Sequence, residues 1–165
     1  MTENFLAKLF EHNNWATDQT IQACYALTDE QLDAEPQSAT LGNIRKTLTH
    51  LVSAQQAYLS LLTLPVEERR RTHLSFDELQ ASARSSGERL LALAKKESGH
   101  TLTTQLQTTD GYHVEPWVVM VQIINHATEH REQINNMLSA LGVAPPELDG
   151  WTYGMATNAL VPISA

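Results

Sequence analysis

The chain lacks several features that mark secreted, membrane-spanning or disulfide-stabilised proteins. Among 165 residues there is one cysteine, Cys24, so no intramolecular disulfide can form and a reducing compartment is favoured. No apolar run approaches the roughly 20 residues of a membrane span. The first fifteen residues carry a polar side chain at every second or third place, unlike a signal peptide. These absences predict a cytoplasmic protein with no membrane partner.

Basic residues are also scarce. Lys and Arg number 11 against 19 Asp and Glu, which gives a formal net charge of −8. Nucleic-acid-binding proteins usually concentrate basic side chains on one face, where they neutralise phosphates. The basic cluster Arg69-Arg70-Arg71 directly follows Glu67-Glu68, and we interpret it as a solvated loop. The charge balance therefore argues against a nucleic-acid partner.

Length and periodicity predict one all-α domain. The apolar fraction of 42% is sufficient for a core, and residues 1–165 are too few for two comfortable domains. Four amphipathic segments dominate the chain, with predicted helical ranges 4–27, 41–62, 76–96 and 116–141. Four such helices are typical of a four-helix bundle.

The connections restrict the topology of that bundle. Residues 63–74 show no periodic apolar face, and twelve extended residues reach roughly 40 Å. This exceeds the length of a helix of about twenty residues at ~1.5 Å per residue, so the third helix can run parallel to the second. Residues 101–114 alternate in polarity around Asp110-Gly111, which predicts a small β-hairpin with a tight turn between helices three and four.

The last segment, residues 147–165, is too apolar to be a free tail. We expect it to form a short helix or an irregular cover segment packed on the bundle. One possible position for this segment is over the opening of the functional site.

Two histidines interrupt the apolar face of the fourth predicted helix. That face is traced by Val119, Ile123, Ile134, Met137 and Leu141. His126 and His130 lie within the step of eleven positions between Ile123 and Ile134. Side chains at i and i+4 project from the same side of a helix, so both imidazoles can reach one metal ion. Because a buried imidazole costs desolvation unless it gains a partner, this spacing favours a metal site.

A third histidine, His50, lies on the second predicted helix between Leu48 and Leu51, near its inward stripe. From a facing helix it could complete the site, since bundles build metal sites in this way. Three histidine ligands leave at least one coordination position open, which is typical of catalytic sites. The alternative is a set of core histidines that are hydrogen-bonded to Ser, Thr or Gln neighbours.

The remaining histidines, and Asn13 on the first helix, are not predicted to be metal ligands. His12 and Asn13 interrupt the apolar stripe of the first helix, and we expect both at the surface; the alternative is that one of them lines a central pocket. His73, His100 and His113 lie in linkers or in the hairpin and are not expected to be ligands.

Together these elements resemble the DinB/YfiT-like family of bacterial four-helix-bundle metalloproteins. The elements that carry the resemblance are Asn13-Asn14-Trp15-Ala16, Leu48-Thr49-His50-Leu51, the Asp-Gly hairpin, Asn125-His126, His130-Arg131 and Gln133. Two positions depart from the frequent pattern: Glu129 stands where many members have a further histidine, and Glu132 replaces a common glycine.

The resemblance implies an up-down-down-up bundle in which His50, His126 and His130 bind a divalent ion. Nickel and zinc are the first expectations for this ion, and iron is a further one. Apart from the resemblance, a homodimer through the helix faces is one expectation, which goes with a non-enzymatic metal-binding or small-ligand-binding protein.

An open three-histidine site favours an enzyme that acts on a small molecule. Two reactions fit, namely hydrolysis and the transfer of a low-molecular-weight thiol, because relatives include thiol-dependent S-transferases. Asn125 and Gln133 are candidates for orienting groups, and Glu129 is a candidate proton acceptor, although all three could be ordinary surface residues. The non-enzymatic alternative is a metal-binding or small-ligand-binding stress protein.

Overall fold

The computed structural model describes residues 4–36, 42–70, 72–97 and 106–163. The α-helices are α1 (Phe5–Tyr25), α2 (Asp29–Asp33), α3 (Ile44–Thr63), α4 (Leu79–Glu97), α5 (Pro116–Ala140) and α6 (Gly150–Ala156). The strands are β1 (Leu106–Gln107) and β2 (His113–Val114), and 3-10 turns cover Val66–Glu68 and Phe76–Glu78. None of the described helices is both long enough and apolar enough to cross a bilayer.

Local sequence signals set most helix boundaries. Asn4 caps α1 by accepting a hydrogen bond from the amide of Ala7, and Pro116 occupies the first turn of α5, where its missing amide hydrogen costs nothing. The start of α3 differs from the prediction, because Asn43 is the cap and accepts from the amide of Lys46. Residue 41, where the helix was predicted to begin, lies outside the described residues.

Two apolar clusters give the directions of the four long helices. One cluster joins the carboxyl-terminal halves of α1 and α5 to the amino-terminal halves of α3 and α4; its members include Ile21, Cys24, Ile44, Leu48, Leu79, Ala83, Ile134 and Leu138. The other joins the opposite halves and includes Phe10, Leu59, Leu90, Ala94, Val119 and Ile123. Thus α1 and α5 run one way and α3 and α4 run the other. The predicted up-down-down-up bundle is confirmed.

The crossover between the parallel helices α3 and α4 spans residues 64–75, as its length predicted. Arg69 is half-buried there and donates hydrogen bonds to the carbonyls of Leu64 and Gln107, which attaches the crossover to β1. The prediction of a wholly solvated basic loop is therefore wrong for Arg69. Arg70 is exposed, and Arg71 lies outside the described residues.

The hairpin predicted between helices three and four is present between α4 and α5. Its antiparallel strands pair Leu106 with Val114 and Gln107 with His113. The turn is wider than the predicted tight Asp-Gly turn, because residues 108–112 separate the strands, and Gly111 adopts a φ of +92° within it. Residues 101–105 of the predicted hairpin lie outside the described part of the chain.

The tail contains the expected short helix, α6, which packs on α1. The Tyr153 ring lies 5.4 Å from the His12 ring and 5.3 Å from the Trp15 ring, measured between centroids. His12 Nε2 lies 2.7 Å from the Leu148 carbonyl oxygen, and Asn135 Nδ2 donates to the Pro146 carbonyl at 3.3 Å. These contacts place the cover on the α1 side of α5.

Candidate metal centre

Three imidazoles converge where α3 packs against α5. His126 Nε2 lies 3.1 Å from His50 Nε2 and 3.2 Å from His130 Nε2. One nitrogen from each ring lies within 4.8 Å of the other two. Nitrogens bound at about 2.0–2.1 Å to one tetrahedral ion are separated by roughly 3.3 Å, so the observed spacing fits a shared ion. The three histidines are close enough together to hold one metal ion.

The fold brings these rings together through simple helix geometry. His126 and His130 lie one turn apart on α5, and their ring centroids are 4.4 Å apart. On the antiparallel neighbour α3, buried Leu48 and Leu51 flank His50 and fix the rotation of that helix. The ring of Tyr58, two turns further along α3, meets His126 edge to face at 5.6 Å.

The three rings differ in exposure. His130 is buried and only 9% exposed, whereas His126 is half-buried and His50 is partly exposed. The predicted core-facing position therefore holds for His130, while the other two lie at the border between core and solvent. This border leaves the cluster accessible from outside the bundle.

Burial and neighbouring rings lower the pKa of two of these imidazoles, His126 and His50. The pKa of His126 is lowered to about 4, chiefly by burial and additionally by the neighbouring His130 and His50. Burial and the neighbouring His130 also lower the pKa of His50. Neutral imidazoles have a lone pair for a metal ion, which suits several first-row divalent ions.

Gln133 makes a hydrogen bond that fixes the orientation of His130. His130 Nδ1 lies 2.8 Å from Gln133 Oε1, an oxygen that can only accept. The proton therefore resides on Nδ1, and the lone pair of Nε2 points toward the other rings. Asn125 and Glu129 are exposed, and among the described residues neither side chain shows a hydrogen bond to the three rings.

A second polar group in the bundle was not predicted. Asn13, expected at the surface, is fully buried, and its Oδ1 accepts a hydrogen bond from Arg131 Nη1 at 2.8 Å. Arg131 is only 3% exposed and also donates to Thr17 Oγ1 at 3.1 Å and Thr128 Oγ1 at 3.1 Å. The surface prediction for Asn13 is therefore wrong, because a buried partner on α5 satisfies its polar oxygen.

A sequence signal for Arg131 exists. Ala127, Arg131, Ile134 and Leu138 follow helical spacing along the buried face of α5. The guanidinium thus occupies a core position in the same way as His130.

The other histidines stand as follows. His12 is half-buried against the tail, so the surface prediction is wrong for it as well. His73 and His113 are exposed, in agreement with their assignment as structural residues, and His100 lies outside the described residues.

Comparisons with known proteins agree with the geometry at the level of the family. No curated protein matches the chain. The model of the DinB family, however, matches residues 1–160, a range that includes α3 and α5 with all three converging histidines. The chain therefore belongs to the DinB family.

Proposed function

We propose that the protein binds a divalent metal ion through His50, His126 and His130 and is a metal-dependent enzyme acting on a small molecule. The convergence of three Nε2 atoms supports this proposal most directly. Hydrogen bonds among the three rings cannot give each Nε2 atom a partner of its own. The Nε2 of His130 is an acceptor because its proton is on Nδ1, so a single N–H on His126 would have to serve both neighbours. One cation satisfies all three lone pairs.

The protein's own groups then have distinct tasks. When bound, the ion would supply Lewis acidity and an open position at which a water or a thiol becomes a stronger nucleophile. Gln133 holds the His130 ring in its metal-binding tautomer. Tyr58 supports the His126 ring, and the partly exposed side of His50 gives a small molecule access. Nickel, zinc and iron are all compatible with these ligands.

The two proposed reactions differ in their need for an external thiol. Cys24 is fully buried in the first apolar cluster, and burial raises the pKa of its thiol to about 12. Cys24 is therefore a core residue and is not the source of a thiolate. A transfer reaction would need a low-molecular-weight thiol from solution, whereas hydrolysis would not.

One observation favours a second candidate function, that of a non-catalytic metal-binding or small-ligand-binding stress protein. Within the described residues, the only cluster of three or more metal-ligating groups consists of these histidines, without a carboxylate. Glu129, the predicted proton acceptor, is exposed and has no hydrogen bond to the rings. A binding protein requires no such acceptor.

Metal binding is tested by elemental analysis of the purified protein and by calorimetric titration of the metal-free protein with nickel, zinc or iron(II). We expect one equivalent of metal per chain. His50→Ala, His126→Ala and His130→Ala should each weaken binding by about 100-fold or more, since one of three ligands is lost. His73→Ala and His113→Ala, which change exposed histidines, should leave the affinity unchanged. Equal affinities in both sets of variants would refute the proposed site.

Turnover is tested separately on the metal-loaded protein. A panel of activated esters, lactones and electrophiles is assayed with and without a low-molecular-weight thiol. Turnover that disappears in His126→Ala supports an enzyme, and a thiol requirement identifies the transfer reaction. Stoichiometric metal without turnover on any substrate supports the binding protein instead.

A further inference from the structure

A cleft of about 600 Å³ lies between α1, α5 and residues 146–149 of the tail. It is on the α1 side of α5, whereas the three converging histidines face α3. Its outer wall is held in place by the hydrogen bonds of His12 to Leu148 and of Asn135 to Pro146. Its volume is typical of sites for small molecules.

Arg131 gives this cleft a buried positive charge. Its guanidinium contacts three neutral oxygens, those of Asn13, Thr17 and Thr128, and no carboxylate within the described residues forms an ion pair with it. Within the described residues those contacts use three of its five N–H donors, and Arg131 lines the cleft. An arginine guanidinium carries its positive charge at neutral pH.

The same cleft contains groups that attract a cation. Asn135 Oδ1 is a buried acceptor that has no hydrogen-bond partner, while its Nδ2 is engaged with Pro146. The exposed residues Glu132, Glu147 and Asp149 also line the cleft, and the Asp149 carboxylate accepts hydrogen bonds from the first-turn amides of α6. A buried acceptor without a donor is unfavourable, so Asn135 Oδ1 is a position at which an N–H group of a ligand would be stabilised.

We propose that the cleft binds a small zwitterion of the α-amino acid class. Its carboxylate pairs with Arg131, and its ammonium group donates to Asn135 Oδ1 beside Glu132 and Glu147. A simple anion would be repelled by the carboxylates, and a simple cation would leave Arg131 without a counter-charge. Pro146 and Leu148 supply apolar surface for the side chain of the ligand. This inference does not depend on the metal site.

The first test compares three probes that have the same carbon skeleton. Calorimetric titration of the full chain at pH 7 uses L-leucine, 4-methylpentanoate, which lacks the ammonium group, and 3-methylbutylamine, which lacks the carboxylate. L-Leucine should bind saturably at one site, and each analogue should bind at least about ten-fold more weakly, because each loses charge-assisted hydrogen bonds. Absence of saturable L-leucine binding, or equal affinity for either analogue, would overturn the proposal.

The second test locates the site. The double variant Glu132→Gln, Glu147→Gln should weaken L-leucine binding by about ten-fold, and Asn135→Leu should do the same. The matched control Glu30→Gln, Glu67→Gln changes the net charge equally at exposed carboxylates outside the cleft and should bind as the unmodified chain does. Circular dichroism verifies folding. Unchanged affinity in both cleft variants would refute this location. If the control weakened binding equally, the loss of affinity would be due to the change in net charge and the location would also be refuted.

Discussion

The polar groups on the two sides of α5 differ in whether the protein itself satisfies their hydrogen bonding. Toward α3, His126 and His130 direct their nitrogens at each other and at His50, with 3.1 Å and 3.2 Å between neighbouring Nε2 atoms. Toward α1, the adjacent residue Arg131 donates to oxygens of Asn13 and Thr17 that belong to the bundle itself. Both groups lie between the two apolar clusters of the core.

The difference separates three rings that would gain from an added metal ion from a guanidinium that already has protein partners. The three rings lie at the border between core and solvent and are poorly satisfied by hydrogen bonds to one another, so they gain most from an added ion. The guanidinium is permanently charged and already holds α1 against α5. We therefore expect substitution of the three histidines to change metal affinity and substitution of Arg131 to change stability.

Arg131→Met should give the largest effect. The substitution removes three hydrogen bonds and leaves the oxygens of Asn13 and Thr17 buried without donors, which costs about 3 kcal/mol of unfolding free energy. Urea denaturation of the metal-free protein measures it. The matched control is Arg84→Met, whose exposed ion pair with Asp18 should contribute less than about 1 kcal/mol. A similar small loss for Arg131→Met would remove its structural role.

Much of this arrangement could be predicted because its causes are local. Short-range rules account for the cap at Asn4, the first-turn position of Pro116, the spacing of His126 and His130 and the length of the crossover. The bond from His130 to Gln133 also spans only three residues. Such features can be predicted from the sequence of one helix or one connection.

The features that could not be predicted depend on partners distant in sequence. Asn13 is buried because Arg131, 118 positions away, satisfies its oxygen, and nothing near Asn13 indicates this. The same holds for His12, whose partner Leu148 is 136 positions away. An isolated polar residue in an apolar stripe looks like a surface position until its partner is known.

Gln133→Leu should have the next largest effect, confined to the α3 side. Losing the acceptor for His130 Nδ1 frees the ring to change tautomer, which should weaken metal binding by about 10- to 100-fold. Gln133→Glu retains an acceptor and should bind metal at least as well as the unmodified chain. Calorimetric titration measures both, with Gln22→Leu on the exposed face of α1 as the control. Equal affinities for the Leu and Glu variants would exclude an orienting role.

The pH dependence of stability should distinguish the two sides more finely. The pKa of His126 is about 4 in the folded metal-free protein and about 6.5 in an unfolded chain, so the unfolded state binds more protons between these values. The free energy of unfolding should therefore fall as pH decreases from about 6.5 to 4. Arg131 does not titrate in this window.

Substitution isolates the contribution of His126. His126→Gln should flatten the dependence by up to about one proton, whereas the exposed His73→Gln should not change it. Urea denaturation across the pH range gives the slope. Identical slopes in the unmodified chain and His126→Gln would show that burial of this imidazole does not alter its protonation.

The smallest effect is expected for the remaining two candidates on α5. Asn125 and Glu129 are exposed, and neither is hydrogen-bonded to the rings within the described part of the chain. Water and salt screen the charge of an exposed carboxylate, so Glu129→Gln and Asn125→Ala should leave metal affinity within about two-fold. If Glu129→Gln instead abolished turnover at full metal occupancy, the carboxylate would have to reach the substrate from the solvent side. The α3 side of α5 would then include a proton acceptor in addition to three ligands.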